Sequence, residues 1–233
     1  MSRALSWLAI ALFTAGVLAA SPTDRMAWVL MVATPLALLQ TWRRGGPSRL
    51  GFRRPASWRR LLAVSALAGL SLQAFSLLLL EPLVARISGE TADLSALAAG
   101  VEGNAGAALS LLAVVWTLVA FGEEILFRGF LLGELERLLA GAGSAGSAGS
   151  AVASAAAILF SSLLFGLGHA YQGLAGLWVT GILGAALGLL YVASRRDLWL
   201  LILTHGMVDT AALVILYLGF YDDVELWARA LWT

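Results

Sequence analysis

The chain of 233 residues contains no cysteine, so it has no disulfide frame, no thiolate nucleophile and no Cys-based zinc site. Charge is scarce as well. Only 12% of residues are Asp, Glu, Lys or Arg, against about a quarter in a soluble domain. With 60% apolar residues and a mean hydropathy of +0.87, the composition excludes an ordinary soluble fold and implies a polytopic membrane protein. The net charge of +1 says little about partners. Histidine occurs twice, as His169 and His205, each inside a long apolar stretch. Nothing in the chain suggests an internal repeat or a second, soluble domain.

A spanning helix needs about 20 apolar residues, and seven stretches qualify or nearly qualify: 4–20, 26–42, 61–80, 107–128, 151–169, 173–193 and 198–219. The fold class that follows is all-α, a polytopic transmembrane helical bundle of about seven to eight spans. Residues 1–233 then form a single integral-membrane domain. The first stretch has features of a signal peptide, with Arg3 ahead of an apolar run ending in Ala-Ala-Ser-Pro. A second span follows at once, which favours a retained helix.

Seven of the fifteen basic residues, Arg43, Arg44, Arg49, Arg53, Arg54, Arg59 and Arg60, lie between spans two and three. Basic loops stay cytoplasmic. Alternation from that loop puts the N-terminus inside and the loop holding Glu81, Glu90, Asp93 and Glu102 outside. Arg195 and Arg196 then fall inside and Asp222-Asp223 outside, so two basic loops agree on one topology. A nucleic-acid patch is the weaker reading of the arginines. A role at anionic headgroups remains open at about 1 kcal/mol per basic residue. Residues 141–150, rich in Gly, Ala and Ser, read as a flexible linker between spans four and five.

Ionisable side chains at bilayer depth cost at least a few kcal/mol each, and persist where they pair, line a wet cavity or perform chemistry. Three motifs meet that description. In Glu123-Glu124-x-x-x-Arg128, Glu124 and Arg128 are spaced i,i+4 and share a helix face. Glu123 points about 100° away, which leaves it free as a general base while Arg128 holds Glu124. A purely structural ion cluster accounts for this motif equally well. Phe165-x-x-x-His169 ends span five, and His205-x-x-x-Asp209 lies near the middle of span seven. There Asp209 can orient the imidazole or add a second polar group to a cavity. A lone helical histidine is more often a satisfied core residue, but two histidines beside a Glu pair in one small bundle point to a site.

In this order the three motifs resemble the CPBP (CAAX protease and bacteriocin-processing, or Abi) family of intramembrane endopeptidases, over a motif-bearing core of about residues 107–215. The surrounding Phe127-Arg128-Gly129-Phe130-Leu131 and Leu203-Thr204-His205-Gly206 are similar to the family's usual context. The resemblance implies peptide-bond hydrolysis in a membrane-associated or lipid-linked protein or peptide, in a prokaryotic inner membrane. It implies that Glu123 activates a water shared with His169, that Glu124 and Arg128 form the supporting pair, and that His205 stabilises the oxyanion. Asp209 stands where the prenyl-protein protease branch has Asn. An ionised Asp cannot donate to an oxyanion, so Asp209 is either protonated or orients His205.

Hydrolysis needs a water, a base and a donor for the developing charge, and this set supplies all three. Serine chemistry at Ser161 or Ser162 lacks a Gly-x-Ser-x-Gly elbow. Zinc on Glu123, His169 and His205 is a legitimate set, yet no His-Glu-x-x-His is present, and the expected mechanism uses no cofactor. Two other classes stay open: a non-catalytic binding protein of the bacteriocin-immunity type, and a proton-coupled transporter, which lacks evident inverted-repeat symmetry. Prenylated C-terminal motifs, double-glycine leaders, C-terminal sorting signals of surface proteins and anti-sigma factors are all open as substrates.

One geometric problem accompanies this reading. A span ending at Arg128 puts Glu123 near the cytoplasmic side and His169 at the outer end, about 20 Å apart at 1.5 Å per residue. A helix continuing through Arg137, or bending at Gly129 and Gly133, would bring Glu123 to mid-membrane. Gly166, Gly168, Gly173, Gly176, Gly181, Gly184 and Gly188 read as close-packing positions. Trp28, Trp42, Trp58, Trp178, Trp199, Trp227 and Trp232 read as interfacial anchors, and residues 222–232 as a short interfacial helix.

Overall fold

The computed structural model describes residues 3–21, 25–42, 46–140 and 147–230. Arg43, Arg44, Trp232 and most of the expected linker lie outside the described residues. The elements are α1 (Arg3–Ala20), α2 (Met26–Trp42), α3 (Trp58–Ser88), the short α4 (Ser95–Val101), α5 (Ala105–Ala140), α6 (Ser147–Gly168), α7 (Gly173–Ala193), α8 (Leu198–Tyr217) and α9 (Tyr221–Ala230). Six of these helices are long and apolar enough to cross a membrane, and α2 is a shorter apolar helix. The fold is an all-helical membrane bundle, as the apolar stretches required.

Local chemistry sets the starts of the helices. Ser57 Oγ accepts from Arg60 N at the head of α3, Asn104 Oδ1 from Ala107 N at α5, and Asp197 Oδ1 from Trp199 N at α8. Each satisfies a backbone donor that the first helical turn leaves open. Helix α3 stops where Gly89 takes φ +79°, a left-handed conformation that glycine adopts without penalty.

Two boundaries differ from the sequence expectation. Span four does not end at Arg128 but runs on to Ala140, so Glu123 sits at the midpoint of a 36-residue helix. Apolar burial continues past the glycines through Leu131, Leu132, Leu135 and Leu138, and that stripe carries the helix onward. The linker is also shorter than expected. Residues 147–150 already belong to α6, since Ala and Ser carry little penalty in a helix.

Hydrogen bonds sort the loops into two ends. At one, Arg3 donates to Leu138 O, Tyr191 OH to Leu50 O and Leu198 N to Gly51 O, while Arg196 pairs with Glu136 at 2.7 Å. At the other, Asp93 N donates to Gln172 O, Leu174 N to Glu90 Oε1, Gly103 N to Tyr217 O and Tyr221 OH to Glu81 Oε2. The basic end and the acidic end are those required by the alternating topology.

Small residues let the helices approach. A Cβ on Gly166 would lie 2.5 Å from Leu177 O and 3.0 Å from Gly181 Cα, and one on Gly69 would lie 2.6 Å from Thr204 O. Helix α6 therefore packs on α7, and α3 on α8, backbone to backbone. Trp28, Trp42, Trp58, Trp178 and Trp227 are exposed. Trp199 is instead partly buried, edge-on to Phe52 and Trp58.

Candidate active site

Three helices bring the site together: α5 supplies Glu123, Glu124 and Arg128, α6 supplies Phe165 with His169 in the turn just past its end, and α8 supplies His205 and Asp209. Within α5, residues Glu124–Leu132 form a π-helical stretch, and a second one covers Val115–Val119. Such wide turns are uncommon and concentrate at functional sites.

Glu124 is fully buried and Arg128 is 1% exposed. Arg128 Nη1 donates to Glu124 Oε1 at 2.7 Å, and Nη2 donates to the carbonyl of Gly184 at 3.0 Å. The guanidinium carbon lies 4.6 Å from the centre of the Phe165 ring, a cation–π placement. The i,i+4 pair read from the sequence is therefore present, and it has an additional anchor on α7.

Glu124 Oε1 takes a second bond across the bundle. His205 Nδ1 stands 2.8 Å away, and because a carboxylate only accepts, Nδ1 carries the proton. The other ring nitrogen, Nε2, lies 3.5 Å from Asp209 Oδ2 and 3.8 Å from Glu123 Oε2. Both distances are too long for a firm hydrogen bond. Glu123 Oε2 has no hydrogen-bond partner among the protein atoms, although the residue is 3% exposed. The two carboxylates thus do not diverge as an ideal helix suggests. Both face His205: Glu124 is bonded to Nδ1, and Glu123 stands 3.8 Å from Nε2.

His169 closes the far side of the site. Its Nδ1 lies 2.9 Å from Phe165 O, an acceptor only, so Nδ1–H donates and Nε2 keeps its lone pair. The Phe165 ring neighbours both histidines, 4.8 Å from His169 and 6.0 Å from His205 between ring centres. Among the described residues, no group of three His, Asp or Glu side chains is arranged to hold a metal ion.

Sequence reasoning missed four contributors. Phe165 has no chemistry that its motif spacing reveals, yet it touches Arg128 and both histidines. Gly184 serves more than close packing: its carbonyl holds Arg128, and a Cβ there would stand 3.0 Å from Phe165 Cδ1. Trp116 packs on Gly206 and donates Nε1–H to Thr210 Oγ1 at 3.2 Å. Thr34 of α2 is buried against Gly122, and its hydroxyl has no partner, whereas Thr41, Thr117 and Thr180 bond back to the preceding turn. Single-residue spacing carries no signal for contacts of this kind.

A family model described as Rce1-like, type II CAAX prenyl endopeptidase Rce1-like, matches residues 105–211. The match starts at the first residue of α5, ends within α8 and contains Glu123, Glu124, Arg128, His169, His205 and Asp209. No curated protein and no solved structure matches the chain.

Proposed function

We propose that this chain, whose residues 105–211 match the Rce1-like family of CAAX prenyl endopeptidases, hydrolyses a peptide bond with a water activated by Glu123. The observation that carries the reading is the setting of His205. Glu124, itself held by Arg128, fixes the ring through Nδ1, and the other nitrogen lies between Asp209 Oδ2 at 3.5 Å and the unpartnered Oε2 of Glu123 at 3.8 Å.

In this scheme Glu123 takes a proton from water, and the resulting hydroxide attacks the scissile carbonyl carbon. His169 holds the same water through Nε2, the only one of its nitrogens not already bonded to a carbonyl. The oxyanion forms beside His205. With carboxylates facing both of its nitrogens, the imidazolium form has a proton on Nε2 to donate there, and such a donor contributes several kcal/mol to an oxyanion transition state. As the C–N bond breaks, Glu123 returns its proton to the leaving amine. Asp209 orients His205 rather than meeting the oxyanion, which an ionised carboxylate would repel. The scheme routes no step through a metal.

The substrate class is a peptide segment held at the membrane, and a prenylated CAAX peptide is the first compound to test. Purified protein in proteoliposomes is expected to cleave a farnesylated CAAX peptide or an unmodified membrane-anchored peptide. His205→Ala and His169→Ala are each expected to reduce turnover by at least a hundredfold. Equal turnover by both variants and wild type would overturn the scheme.

A further inference from the structure

We infer that the site is reached from the acidic end of the bundle, and that this end is extracytoplasmic. The substrate is then a peptide bond in an exported or membrane-anchored polypeptide on the outer side of the membrane. The inference rests on the hydrolytic reading above and assigns its substrate a side.

Depth along the helices orders the site residues. Helix α5 descends from the acidic end toward the basic end, so Glu123 lies above Glu124 and Arg128 below both. Helix α8 ascends, which sets Asp209 one turn nearer the acidic end than His205. His169 follows the acidic-end terminus of α6. Exposure rises in the same direction. Arg128 and Glu124 are at 1% and 0%, Glu123 and His205 at 3% and 6%, and the Asp209 side chain at 26%. His169 is half-buried and Tyr171, two residues on, is exposed.

Toward the basic end the site is closed. Leu131, Leu132, Leu135, Leu198 and Leu201 are buried beyond Arg128, and the Arg196–Glu136 pair ties the helix ends beyond them. Close packing of this kind leaves no path for a peptide backbone. At the acidic end, two hydrogen bonds join the 89–94 loop to the turn after His169, Asp93 N to Gln172 O and Leu174 N to Glu90 Oε1. That loop borders the mouth.

The side follows from charge. Among the described arginines outside the site, nine belong to the basic end: Arg3, Arg49, Arg53, Arg54, Arg59, Arg60, Arg137, Arg195 and Arg196. Three belong to the acidic end: Arg25, Arg86 and Arg229. Arginine in short loops sets orientation, and the richer side stays in the cytoplasm.

The absence of native cysteine makes this directly testable with single-cysteine variants in intact cells and a bulky, membrane-impermeant maleimide. Ala96→Cys and Tyr171→Cys are expected to be modified from outside, and Arg54→Cys only after lysis. Modified Tyr171→Cys is expected to lose at least tenfold of its own unmodified cleavage rate on a membrane-anchored reporter. Modification of Arg54→Cys in intact cells, with Ala96→Cys protected, would reverse the side and overturn the inference. Undiminished cleavage by modified Tyr171→Cys would remove the mouth. Glu123→Gln run in parallel separates the two claims. If it cleaves like wild type, the hydrolytic reading fails while the labelling still reports the topology.

Discussion

The buried Glu124–Arg128 pair offers the sharpest energetic test, because each partner holds the other in place. Arg128→Met removes the 2.7 Å bond to Glu124, the bond to Gly184 O and the contact with the Phe165 ring. It leaves a fully buried carboxylate supported only by His205. Breaking a buried pair from one side costs about 3–5 kcal/mol, and Glu124→Met should cost a similar amount by stranding the guanidinium. The double variant strands neither charge, and similar apolar volume in place of a buried pair is often neutral. Its remaining cost is the His205 Nδ1–H left without an acceptor, about 1–3 kcal/mol. Two singles summing to about 6–10 kcal/mol against a double near 1–3 kcal/mol give a coupling of at least about 3 kcal/mol. Unfolding in mixed micelles with increasing sodium dodecyl sulfate, followed by tryptophan fluorescence, measures all three. A double variant as costly as the sum of the singles would refute the reasoning.

Gly184→Ala should cost about 1–3 kcal/mol by driving a methyl into Phe165, whereas Gly181→Ala, with its nearest atom at 3.5 Å, should stay near wild type in the same unfolding assay. Asp209→Asn keeps an oxygen near His205 Nε2 but loses the charge. Its turnover should fall by no more than about tenfold, roughly 1.4 kcal/mol of barrier, with KM unchanged, while Asp209→Leu should fall further. Glu136→Gln weakens an ion pair whose arginine is 44% exposed, so stability should change by less than about 1 kcal/mol, and cleavage should be unchanged. Thr34→Val removes a buried hydroxyl without a partner and should raise stability by about 1 kcal/mol, read as a shifted unfolding midpoint.

What could be read from the sequence was local or periodic. The Glu124–Arg128 bond follows from i,i+4 spacing, and the assignment of loops to two ends follows from the count of apolar spans and the placement of arginine. The bond from Glu124 to His205 crosses 81 residues of chain, and spacing on one helix says nothing about it. An ideal helix also separates Glu123 from Glu124, and nothing in the apolar pattern announces the π-helical turns beside them. Gly129 and Gly133 offer α5 a place to bend, and the helix runs on past both to Ala140. The buried leucines on either side outweigh the glycines' intrinsic cost of about 1 kcal/mol each. Phe165, Gly184 and Trp116 act through tertiary contacts, which apolar and small residues do not signal in a chain rich in both.

The most direct measurement of the central claim is reconstituted peptide cleavage by wild type and Glu123→Gln, each at equal membrane concentration and with matched unfolding midpoints. Gln keeps the size and hydrogen-bonding oxygen of Glu123 but cannot take a proton from water. Cleavage is expected to fall by at least about a thousandfold, which is about 4 kcal/mol of barrier. Turnover within threefold of wild type would contradict a glutamate-activated water and leave Glu123 a structural residue.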